Sequence, residues 1–300
     1  MAREFYQDWN PSKQSAGLVN IAQGIIEDYQ QDGYTLTLRQ LYYQFVARDI
    51  IANSERSYKN LGTIVTKARL AGLLDWLAIE DRNREHKDYW FQEDESTLIE
   101  GLPRMVRFDQ WRRQPNYVEC WVEKEALRGV VQRACEPYLV SHMSCKGYLS
   151  SSEAWRAGKR FQKRIHQGKQ CVLIYLGDHD PSGIDMTRDN QQRLDIFTGM
   201  PKEVQVVRLA LNQDQIAQYN PPPNPAKITD SRAKSYIKKF GNKSWELDAL
   251  EPKVMSDMIT SEILNYIDPD IWNEVIEMQA EMEGLLGKLH ARWPEIKKSL

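Results

Sequence analysis

The 300-residue chain has almost no net charge, with 40 Lys+Arg against 42 Asp+Glu. That balance excludes a globally basic nucleic-acid binder, so any polyanionic partner must be met by a local patch. No run of about 18 apolar residues occurs, so no membrane span is expected. The opening residues, Met1-Ala2-Arg3-Glu4-Phe5, lack the apolar centre of a signal peptide. Cysteine is scarce: Cys120, Cys135, Cys145 and Cys171 lack paired metal-ligand spacing. Two of them fall in predicted buried strands, which suits core thiols in a reducing, cytoplasmic setting. The five histidines form no ligand pattern, and there is no internal repeat or low-complexity tract. The length suffices for two domains, and a hydrophobic content of 41% for ordinary globular cores.

The chemistry concentrates between Tyr117 and Asp185. Tyr117-Val118-Glu119-Cys120-Trp121-Val122 and Cys171-Val172-Leu173-Ile174-Tyr175-Leu176-Gly177 are strand-length runs rich in β-formers. Their apolar character predicts strands buried on both faces, as in a parallel sheet. A helix predicted over about Ser150–Gln167 makes the unit βαβ-like. Ligands of such sheets bind beyond the carboxyl ends of the strands, where Glu123, Asp178 and Asp180 fall. Asp178 and Asp180 are two apart and share a face in extended backbone. Carboxylates gathered without partners raise each other's pKa, and a hard divalent cation relieves that repulsion. Strand-end acids that merely face water are the plainer alternative. Strand alternation points His179 to the opposite side, in a packing or hydrogen-bonding role.

The strand-end Glu and the later Asp-x-Asp resemble the Toprim domain of topoisomerases, primases and OLD-type nucleases. Val122-Glu123-Lys124-Glu125-Ala126, Lys146-Gly147-Tyr148 and Asp178-His179-Asp180-Pro181-Ser182-Gly183 more closely resemble the A subunit of topoisomerase VI and its meiotic double-strand-break relatives. The resemblance implies that Glu123, Asp178 and Asp180 bind Mg2+, with Mn2+ an alternative; Glu125 and Asp185 are nearby acids without an assigned role.

Upstream, helical spacing predicts helices over about Ser15–Gln31, after Thr35 or Thr37, and over about Ser54–Ala71. With strands expected around Leu77–Ile79 and Tyr89–Phe91, the pattern suggests a winged helix whose third helix presents Arg56, Lys59, Lys67 and Arg69 to DNA; a solvated helix face is the alternative. Arg39-Gln40-Leu41-Tyr42-Tyr43 resembles the tyrosine motif of the topoisomerase VI A subunit, although Gln40 stands where that family usually has Asp or Glu. The resemblance implies Tyr43 as nucleophile, Arg39 as its helper, and a 5′-phosphotyrosyl link. In that family two subunits pair, and the tyrosine of one meets the metal site of the other. Tyr42 falls with the apolar residues, and Tyr43, about 100° further round, is expected exposed or at the edge of that face.

Arg156, Lys159, Arg160, Lys163, Arg164 and Lys169 form a basic cluster that suits a DNA-facing stripe or a solvated face equally. Residues 246–283 hold eleven acids and one base, Lys253, and are expected to face away from DNA. The helix from about Ile271 to His290 is expected to pack on the body or on another subunit. The fold expected is α/β: a winged-helix domain over 1–100, then a Rossmann-like Toprim domain with a helical C-terminal extension over 115–300. The implied function is Mg2+-dependent cleavage of double-stranded DNA by a homodimer. A B-type ATPase subunit would be a separate chain, or the protein works without one. The alternatives are a hydrolytic Toprim endonuclease without a covalent intermediate and a non-catalytic DNA-binding architectural protein.

Overall fold

Val118, Cys120 and Val122 alternate along one strand with Tyr117, Glu119 and Trp121, and both sets are buried. A strand of this kind needs a helical layer on each face. The computed structural model, which describes residues 3–79, 95–226 and 229–299, supplies both. Strands β1 (Asn116–Val122), β2 (Ser141–Ser144), β3 (Gln170–Leu176) and β4 (Val204–Ala210) form one sheet in the order β2-β1-β3-β4, every pairing parallel. The short polar β2 was not legible in the sequence. It pairs Glu119 to Val122 with Ser141 to Ser144 at the sheet edge.

Three helices precede the sheet: α1 (Lys13–Gln31), α2 (Leu38–Ala47) and α3 (Glu55–Leu70). Ser12, Thr37 and Ser54 cap their N-termini by accepting from backbone N–H groups. At α2 the cap is reciprocal: Gln40 Oε1 accepts from the Thr37 N–H at 2.8 Å. Gln40 thus does the capping work that a Glu could also do. Apolar faces of α1–α3 close one core around Ile25, Leu36, Leu41, Phe45, Leu61 and Val65. Leu77 lies not in a strand but in the 3-10 turn Trp76–Ala78, and Ile79 makes a single parallel bridge to Leu36. Tyr89–Phe91 lies outside the described residues.

Helix α4 (Glu95–Met105) leads towards the sheet. One face of the sheet is covered by α5 (Arg128–Cys135), the other by α6 (Ser151–His166) and α7 (Pro181–Thr198). Beyond β4 come α8 (Gln213–Tyr219), α9 (Ala233–Phe240), α10 (Pro252–Leu264) and α11 (Pro269–Ser299). Helix α10 packs against α5, and α11 runs beside α4. Among the described residues there are eleven α-helices, and no helix is long and apolar enough to cross a membrane.

The basic cluster on and just beyond α6 is partly spent on the fold. Arg160 forms a two-pronged pair with the buried Glu119 at 2.9 and 3.0 Å, and Glu119 also accepts from the Tyr117 hydroxyl and the Trp121 indole. Arg164 stacks over the Tyr117 ring, and Lys169 donates to the carbonyls of Trp111 and Gln114. Arg160→Ala leaves a buried carboxylate without its cation and is expected to cost about 3 kcal/mol. Lys163→Ala, on the same helix, should change stability by less than about 0.5 kcal/mol. Urea titrations of both variants check this; equal midpoints would remove the structural role given to Arg160.

Candidate active site

Val122 and Leu176 are paired in register at the ends of β1 and β3, so the chain leaves both strands side by side. Glu123 follows one and Gly177-Asp178 the other. Glu123 Oε2 accepts from the Asp178 N–H at 2.9 Å. Burial first, and then the charge of Asp180, push the Glu123 carboxyl up, despite that bond and Lys124. Asp180 serves as N-cap of α7, its Oδ1 accepting from the Gly183 N–H at 2.6 Å. Only glycine fits at 183, because a Cβ there would lie 2.2 Å from the Asp178 carbonyl oxygen. Arg208, from β4, ties the turn by donating to the carbonyls of Gly177, Asp178 and Gly183.

Asp178 is buried, and its Oδ1 accepts from the Leu247 N–H at 2.8 Å. That bond brings in the segment between α9 and α10. Its Glu246 and Asp248 join Asp178 in a cluster whose ligand oxygens all lie within 4.8 Å of one another. Glu123 and Asp180 are not members of this cluster; they flank it. The acid-rich 246–283 stretch therefore does not face wholly away from the site, as expected from its charge, because its first two acids turn inward. The Glu-Leu-Asp alternation after Trp245 mirrors Asp178-His179-Asp180 and was the available signal.

Lys124 occupies the centre of the cluster. Its ammonium lies 3.0 Å from Asp178 Oδ1 and 2.8 Å from Asp248 Oδ1, and bonds Glu246 as well. Burial alone would lower the lysine pKa, but the three carboxylates hold it well above the lysine range. Asp178 is pushed well up, first by burial and then by Glu123, Glu246 and Asp248, which outweigh Lys124. Three hard oxygen donors already gathered round a positive charge have the chemistry of a divalent-cation site. Asp178, Glu246 and Asp248 could hold such an ion; nothing in the donor set fixes which metal.

The tyrosine motif meets this cluster through Arg39. Its Nη2 lies 3.0 Å from Glu246 Oε2, its Nε 2.9 Å from Asp248 Oδ2, and Nη2 donates to the Tyr43 hydroxyl at 3.4 Å. Tyr43 is not exposed as its helix position suggested. It is 5% exposed, like Tyr42, because the segment bearing Glu246 and Asp248 packs over α2. Burial first, then Asp248 and Glu246, push the phenol up to about 12, against Arg39 and Lys124. Tyr43, Arg39, Glu246 and Asp180 line one cavity of about 380 Å³, which Glu55 and Tyr58 of α3 also border. Tyrosine and acids thus border one cavity of a single chain.

Arg56, Lys59 and Lys67 are exposed on α3, Lys59 in an ion pair with Glu55. Arg69 is not available in the same way. It donates to the Trp76 carbonyl at 2.6 Å and stacks on the Trp76 ring. Of the two unassigned acids, Asp185 bonds Tyr148, Arg188 and Arg232, and Glu125 lies near Arg128 and Lys146.

His179 is buried among Tyr236, Phe240 and Trp245, its Nδ1 2.8 Å from the Tyr236 hydroxyl. Burial and then Arg208 lower its pKa to about 4. The unfolded chain, with an ordinary histidine, takes up the proton first as pH falls. Stability is therefore complete above about pH 6.5 and is lost as pH falls towards 4, by roughly 3 kcal/mol. Chemical denaturation at pH 7.5 and 4.5 should show the wild type losing more than His179→Phe by about that amount; parallel losses would exclude this role.

The fold and site define a three-layer α/β protein with a buried carboxylate cluster beyond the strand ends and a tyrosine at its rim. No protein-family model matches the chain, and no curated protein matches it.

Proposed function

We propose that this chain cleaves double-stranded DNA in a divalent-cation-dependent reaction of the topoisomerase VI A-subunit kind. On this reading the α1–α3 unit is the winged-helix portion and the sheet is a Toprim domain. The observation that carries it is the shared cavity, where Tyr43, Arg39, Asp180 and Glu246 meet. Arg56, Lys59 and Lys67 on the adjoining α3 would hold the phosphate backbone. Asp178, Glu246 and Asp248, with Glu123 and Asp180 beside them, would hold Mg2+, which when bound supplies charge neutralisation at the scissile phosphate and the displaced oxygen.

Tyr43 Oη attacks phosphorus and the bond to the 3′ oxygen breaks, leaving a 5′-phosphotyrosyl ester and a 3′ hydroxyl. The phenol proton must leave, and Arg39, one helical turn away, favours the phenolate. Paired subunits and a B-type ATPase chain belong to the same reading. A second reading, hydrolytic cleavage without the tyrosine, draws on the burial of Tyr43 and its raised pKa.

Incubation of supercoiled DNA with Mg2+ or Mn2+ should give cleavage by the wild type and a loss of at least about a hundredfold for Asp178→Ala. Denaturing gels resolve the two readings through a protein-linked 5′ end. No metal-dependent cleavage, with tight salt-sensitive binding, would leave a DNA-binding protein without catalysis.

A further inference from the structure

Two unlike sets of side chains line the cavity beside Tyr43. One is charged: Arg39, Asp180 and Glu246. In the other, side-chain amides meet phenols. The Tyr42 hydroxyl donates to Asn53 Oδ1 at 2.9 Å, and Asn53 Nδ2 donates to Asn224 Oδ1 at 2.6 Å. Tyr58 of α3 stands edge-on to Tyr42, with ring centroids 5.3 Å apart. Both amide oxygens are therefore taken, while Asn224 Nδ2 keeps its N–H donors without a partner among the described residues. This set offers aromatic surface and spare N–H groups, the usual means of holding a base that has left its stack.

Size and charge decide what part of a DNA chain enters. Tyr43 is 5% exposed, and the cavity of about 380 Å³ is at the small end of ligand pockets. A duplex, whose major groove alone is about 12 Å wide, stays outside such a space. A single nucleotide turned out of the helix fits it and reaches the phenol. The charged set holds two carboxylates, Asp180 and Glu246, against Arg39, and Glu55 at the border is already paired with Lys59. That balance disfavours a second phosphate inside the cavity but not a neutral base.

We infer that the cavity takes an unpaired nucleotide, its base held by Asn53, Asn224 and Tyr58. The DNA bound is then a duplex opened next to the scissile phosphate, not a continuous one. The inference rests on the cleavage reading for its choice of DNA. Its test is a binding measurement in EDTA, so a failure of base capture and a failure of cleavage are seen separately.

Fluorescence anisotropy with the full chain should show a duplex carrying one bulged thymine bound at least about tenfold more tightly than the fully paired duplex. A duplex with an abasic bulge should show no gain. Thymidine 5′-monophosphate should compete for the bulged duplex, and deoxyribose 5-phosphate should not. Tyr58→Ala and Asn224→Ala should each lose the gain, and Lys163→Ala, on α6, should keep it. Tyr58 also packs on the helical core, so Asn224→Ala carries the test if Tyr58→Ala does not fold. Equal affinity for bulged and paired duplexes, an abasic bulge bound as tightly as thymine, no competition by the mononucleotide, or a gain retained by Asn224→Ala would each overturn base capture. Binding of the mononucleotide with no preference for the bulge would make this a site for a free nucleotide and overturn the assignment to DNA.

Discussion

Tyr43→Phe should abolish any DNA-linked adduct and lower strand cleavage at least about a thousandfold. The ring stays in place, so packing against Tyr42 is retained. The only bond lost in the described structure is the long one from Arg39, and stability should change by less than about 1 kcal/mol. The expected pair of results is therefore a folded protein, still binding DNA, without an adduct. Retained cleavage without an adduct would transfer the chemistry to a metal-activated water. The raised phenol pKa gives this test a second arm. If the phenolate is the attacking form, the rate should climb as pH rises towards about 12, over whatever range the fold survives.

Lys124→Met should have the largest effect on stability. The substitution removes the ammonium from among Asp178, Glu246 and Asp248 while keeping most of the side-chain volume. Buried carboxylates left without their cation cost about 3–5 kcal/mol. The loss should be greatest at neutral pH in EDTA and shrink as pH falls, because the carboxyls of Asp178 and Glu123, already raised, take up protons in the folded state. Millimolar Mg2+ or Mn2+ should return much of the melting temperature in the variant, more than it adds to the wild type, where the ammonium competes for the same oxygens. A variant insensitive to divalent cations would show that the cluster is a fixed ion-pair network and not a metal site. The same experiment separates Lys124 from Arg39. Arg39 is nearly half exposed and bridges from α2, so Arg39→Ala should cost far less.

Much of the architecture was legible because local signals agreed. Helices α1–α3 and α6 start at Ser or Thr caps and carry apolar spacing, so their limits were readable to within a few residues. Strands β1 and β3 were readable as short β-rich runs, the second nearly continuously apolar. What stayed hidden was local in sequence but decided at a distance. Strand β2 is too polar to announce itself. Arg160 looked like surface charge because nothing in its own helix reveals Glu119 on the neighbouring strand. Glu246 and Asp248 looked like part of an acidic tail because their inward turn depends on the bond between Asp178 and the Leu247 amide.

By itself, the sequence determined an α/β chain with acids where two parallel strands end, since strand length, alternation and turn residues are properties of consecutive positions. Only the tertiary structure decided which acids share a charge, that Lys124 sits among them, and that Tyr43 is enclosed beside them. Those facts depend on which segments are packed together. A carboxylate's behaviour is set by the low-dielectric space and the charges within a few ångströms of it, most of which come from elsewhere in the chain.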